Sequence, residues 1–111
     1  MMRVLIVCLL FLFGSNSIAQ QVPDLNYDPS IENPAYQTGK GPVIFIDEGH
    51  NNFHTKDGRY LPFAKVLEKD GYQVKAYKGT FNEKSLNDGR ILVIANALNS
   101  INTDNWSLPT P

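Results

Sequence analysis

With 111 residues and a formal net charge of −1, the chain is of single-domain size and carries no basic block. Non-specific nucleic-acid binding therefore has no electrostatic support. A single cysteine, Cys8, excludes an internal disulfide. Because Cys8 falls in the leader described next, the mature chain has no cysteine nucleophile and no thiolate metal ligand.

Residues 1–19 read as a signal peptide. Arg3 gives the positive start, and residues 4–13 form an apolar run. That run is about half of the roughly 20 residues a helix needs to cross a bilayer. Ser17 and Ala19 place small side chains where a signal peptidase reads, so Gln20 is the expected mature N-terminus. The alternative is a short N-terminal anchor. Once the leader is removed, no stable membrane span is expected. An exported chain without disulfides suits a bacterial periplasm or exterior better than a small eukaryotic secreted module.

Residues 20–40 contain Pro23, Pro29 and Pro34 and show no periodicity. They read as an extended arm with Leu25, Tyr27 and Tyr36 as anchors. Residues 43–46, VIFI, form an unbroken apolar run between Gly41-Pro42 and Asp47. Such a run suits a strand buried on both faces of a parallel sheet. A polar loop follows, to about Gly58. Tyr60, Phe63, Ala64 and Leu67 then fall at i, i+3, i+4 and i+7, one face of a helix. Pro62 must lie in its first turn, and Gly71 is the expected left-handed cap.

Residues 72–77 alternate and predict a second strand, nearer an edge. Tyr72 and Tyr77 on it either form an exposed aromatic patch or cover the sheet edge. Thr80 and Glu83 match a capping box for a short helix carrying Leu86 and ending at Gly89. Residues 91–95, ILVIA, predict a third strand of central character. Strand–helix–strand–helix–strand alternation argues for an α/β fold with parallel strands. The expected architecture is a partial flavodoxin-like sheet of three strands and two helices, in the order 2-1-3. It spans residues 41–97. Residues 98–111 form a polar tail with Ile101, Trp106 and Leu108 exposed, and the whole reads as a truncated chain or an N-terminal half-domain.

The stretches "PVIFIDEGHNNFHTKDGRYLPFAKVLEKDGYQV" and "LNDGRILVIANALN" resemble the start of bacterial domains of unknown function allied to the class I glutamine amidotransferase-like fold. That grouping also includes the domain found in intraflagellar transport proteins. The resemblance covers residues 41–99. It implies a flavodoxin-like fold whose C-terminal half lies outside this chain. True amidotransferases use a cysteine on a tight strand-to-helix turn. The mature chain has none, and no Gly-x-Ser-x-Gly elbow replaces it.

In a parallel sheet, ligands bind at the carboxyl ends of the strands. Asp47, Glu48, His50, Asn51 and Asn52 follow strand one, while Asn96 and Asn99 follow strand three. The two loops face one crevice if those strands are neighbours. Four readings are open. Asp47 and the asparagines satisfy loop backbone groups, with His50 bonding across to the third-strand loop. Alternatively, Asp47, Glu48, His50, Asn51, Asn96 and Asn99 bind a small polar ligand or a protein partner. Or Asp47 or Glu48 orients His50 as a general base, in a hydrolase- or amidotransferase-like enzyme whose nucleophile lies in the missing half. Last, His50 and His54, four apart, share a helix face as metal ligands. No particular cofactor is implied.

Overall fold

The computed structural model describes residues 22–110, so the predicted leader lies outside the described residues. The elements are β1 (Val43–Asp47), α1 (Leu61–Lys69), β2 (Gln73–Tyr77), α2 (Glu83–Leu86), β3 (Gly89–Val93) and a 3-10 turn at Ser100–Asn102. β1 pairs in parallel with both neighbours. Ile44 lies opposite Val74 and Ile91, and Ile46 opposite Ala76 and Val93. The sheet order is β2-β1-β3, a partial flavodoxin-like arrangement. Ile44, Phe45, Ile46 and Asp47 of β1 are all buried, as the unbroken apolar run predicted.

α1 covers one face of the sheet. Ile46, Ala64 and Val74 form the core there, with Tyr60, Leu67 and Val93 packed around them. Pro62 sits in the first turn, where its missing N–H is harmless. Gly71 ends the helix at φ +95°. Its N–H donates to the Glu68 carbonyl and that of Tyr72 to Leu67, which is a Schellman motif. Phe63 departs from the predicted inward face. It is 40% exposed and rests its ring on Tyr60, 5.4 Å away.

Aromatic rings cover the opposite face. Phe45 lies 5.2 Å from Tyr77, and Tyr77 stacks 5.7 Å from Phe81. Tyr77 is therefore buried rather than part of an exposed patch. α2 is a single turn with no buried residue. Its cap corrects the capping-box expectation: Asn82, not Thr80, accepts from the Ser85 N–H at 2.9 Å. The Thr80 carbonyl instead accepts from the hydroxyls of Tyr77 and Ser85. Gly89 opens β3 rather than ending the helix. A Cβ there would meet the Phe45 ring.

β3 is an edge strand, as the expected order 2-1-3 requires and against the central character its apolar run suggested. It begins two residues earlier than the apolar run, with a register irregularity opposite Val43 and Ile44. Ile91 and Ile94 are consequently 49% and 52% exposed. Beside them a hollow of about 180 Å³ is lined by Phe45, Leu86, Gly89, Arg90, Ile91 and Leu92.

The arm is ordered along α1, but polar contacts hold it more than its expected anchors do. Leu25 is 65% exposed. The Lys65 ammonium donates to the carbonyls of Leu25 and Tyr27, and Lys69 pairs with Asp28 at 2.9 Å. Further along, Asp70 accepts from the Ala35 N–H at 2.7 Å, and Tyr36 packs edge-on against Tyr72. Among the described residues, no helix is long and apolar enough to cross a membrane.

Candidate functional site

β1 and β3 are neighbours, so the loops that follow them do meet. The Leu98 N–H donates to the His50 carbonyl at 3.0 Å, and the Phe53 N–H donates to the Asn96 carbonyl at 3.1 Å. The Asn51 amide adds a bond to the Leu98 carbonyl. Asn51 and Asn96 both adopt left-handed backbone, at φ 51° and 45°. Asparagine tolerates that region better than most residues, so these two positions let each loop turn toward the other.

Asp47 is the hub. It ends β1 with no exposed surface, and a buried carboxylate is costly unless it is fully hydrogen-bonded. Three donors converge on it. The His50 Nδ1 lies 2.9 Å from both carboxylate oxygens. The Gly49 N–H reaches Oδ1 at 3.1 Å, and the Asn52 amide reaches Oδ2 at 2.9 Å. Burial works against ionisation, but the bonds from His50, Gly49 and Asn52 outweigh it and hold the Asp47 carboxyl below its ordinary value.

This geometry fixes the imidazole. An ionised carboxylate only accepts, so His50 Nδ1 carries the proton, and in the neutral ring Nε2 keeps its lone pair. The ring packs against Phe81, 4.4 Å between centroids, and its side chain is 38% exposed. The result is an oriented imidazole at the carboxyl end of the central strand, held by a buried carboxylate on one nitrogen. Such a group can accept a hydrogen bond or a proton from a bound molecule.

The other predicted residues divide. Glu48 turns into its own loop: its carboxylate accepts from the Lys56 N–H at 2.8 Å and lies 3.8 Å from the Lys78 ammonium. It braces the loop rather than lining the crevice. Asn99 caps the 3-10 turn through Ile101 N–H. Asn96 contributes its carbonyl to the loop junction while its side chain is exposed. Residues 50–54 are not helical, so His50 and His54 do not share a helix face. His50 stacks on Phe81, whereas His54 lies between Phe53 and Tyr60. No group of three potential metal-ligating side chains occurs among the described residues.

Asn52 is the residue that sequence reasoning underrated. It accepts from the His50 N–H at 2.9 Å and donates to both Asp47 and the Ala95 carbonyl. It thus ties the histidine, the buried carboxylate and the β3 loop into one network. Turn chemistry gave no signal for it, because its side chain bonds back to the N–H two residues before it, the reverse of an Asx-turn.

No protein-family model, no curated protein and no solved structure significantly matches this chain.

Proposed function

We propose that this chain is an exported α/β module that binds a small polar ligand in the crevice between the β1 and β3 loops, with His50 Nε2 as a contact atom. The observation that carries this reading is the Asp47–His50 pair. A wholly buried carboxylate holds one imidazole nitrogen at 2.9 Å and leaves a partly exposed ring at the strand end where α/β sheets bind ligands. Asn51 and Asn96 add left-handed backbone on either side, and such conformations cluster at binding sites. The resemblance to amidotransferase-like bacterial domains is compatible with a binding or assembly role.

A thermal-shift screen of nucleotides, sugars and amino acids tests the proposal. A stabilising ligand should lose its effect in His50→Ala and keep most of it in His54→Ala. Equal loss in both variants, or no stabilising ligand together with destabilisation by His50→Ala, would leave the loop as structure alone.

The second reading is a hydrolase- or amidotransferase-like enzyme. The Asp47–His50 contact favours it, because a carboxylate fixing the tautomer of a histidine is the pairing used by general bases. Its nucleophile would come from sequence beyond Pro111. Hydrolytic activity in a longer gene product, abolished by His50→Ala, would select this reading.

A further inference from the structure

We propose that Arg59 is the anion-binding group of this crevice, so that its ligand is a small molecule bearing a carboxylate or phosphate. The inference rests on the crevice being a binding site and specifies the class of ligand it takes. Arg59 lies in the turn just before α1, and its guanidinium carbon sits 3.6 Å from the centroid of the Phe53 ring. Phe53 is in turn bonded to the β3 loop, through its N–H to the Asn96 carbonyl. The cation is therefore linked to that junction through a single residue, Phe53, while the His50 ring packs against Phe81.

Arg59 combines a ring contact with a buried donor that has no hydrogen-bond partner. Lys56, Lys69 and Lys78 each lie within ion-pair distance of a carboxylate, and Lys65 is spent on two arm carbonyls. Among the described residues Arg59 has neither a carboxylate partner nor a hydrogen bond, and its Nε is buried without one. A buried donor left unsatisfied calls for an explanation. The nearest helix start supplies no competing anion, since the first turn of α1 has no acidic residue. Stacking on Phe53 holds the guanidinium plane, and a fixed guanidinium matches a carboxylate or phosphate with two parallel hydrogen bonds. Trp106 packs edge-on to Phe53 at 4.6 Å and is 55% exposed, so the indole and the cation both contact the Phe53 ring.

Trp106 is the chain's one tryptophan, so its fluorescence reports this site. Inorganic phosphate and benzoate should each be titrated at constant ionic strength, with chloride as the control. The expected result is a saturable change with at least one of the two oxyanions and not with chloride. Whether phosphate or benzoate binds more tightly distinguishes a phosphorylated ligand from a carboxylate. Arg59→Gln should weaken that binding about tenfold or more, the loss expected for a charge-assisted hydrogen bond. Lys75→Gln, which removes an exposed cation on β2, should leave it intact. Responses no different from chloride, or equal affinity in Arg59→Gln, would overturn the anion site. Neither result would remove the His50 crevice, which is tested separately by uncharged sugars in the thermal-shift screen. Circular dichroism of Arg59→Gln confirms that a lost response is not lost folding.

Discussion

The two crossovers of this sheet are built to different standards. The first, from β1 to β2, carries a nine-residue helix whose Ala64 is 1% exposed, and it ends in a Schellman motif. The arm is tied to the same helix by Lys65 and Lys69. The second, from β2 to β3, carries one helical turn with nothing buried. Cover on that face comes from the rings of Phe45, Tyr77 and Phe81 and leaves a hollow beside β3. A parallel sheet needs both faces covered. Here one face has a packed helix and the other has stacked rings, of which Phe81 also supports His50. The first crossover carries the candidate site in its β1–α1 loop, and the thinner second one supports it from the other side through Phe81.

The largest expected effect comes from the point both halves share. Asp47→Ala removes the charged acceptor for His50, Gly49 and Asn52 and, at about 1.5–3 kcal/mol for each such bond, should cost at least about 3 kcal/mol, measured by urea denaturation. The same carboxylate sets a pH dependence. Its folded value is depressed, so its stabilisation is complete above the ordinary aspartate value of 3.8. It should disappear as pH falls through the lower folded value. Denaturation midpoints across that acid range should fall in the wild type and flatten in Asp47→Asn.

Gly71→Ala breaks the first crossover. It forces a side chain into left-handed backbone and against the Tyr36 carbonyl, and should cost about 1–3 kcal/mol. Asn82→Ala breaks the second by removing the α2 cap, and should cost about 1 kcal/mol or less. Equal losses from these two variants would contradict the contrast between the crossovers.

Much of the scaffold was legible because it depends on local rules. VIFI has no polar face, so it had to lie inside. Pro62 and Gly71 marked the ends of α1 through backbone constraints that need no tertiary partner. β3 misled because an apolar run states what could be buried, not what is there to bury it: Ile91 and Ile94 have β1 on one side only. The α2 cap was ambiguous because Thr80 and Asn82 are both capping residues, and only backbone geometry chose Asn82. At the site, the cluster and its strand end were readable, but the partners were not. Which of Asp47 and Glu48 meets His50 depends on the pleat. Asp47 shares the Phe45 face, whereas Glu48 bonds to Lys56 N–H within its own loop. Asn52 was hidden because its amide also bonds the Ala95 carbonyl, on a loop far away in sequence.

The most direct test of the central claim, that buried Asp47 orients His50 toward the crevice, is the tautomer of His50. Long-range proton–nitrogen NMR spectra at a pH where the ring is neutral assign the protonated nitrogen. The proposed arrangement requires the proton on Nδ1 and a bare Nε2, with that preference lost in Asp47→Ala. A proton on Nε2 in the wild type, or a tautomer mixture unchanged by Asp47→Ala, would contradict it.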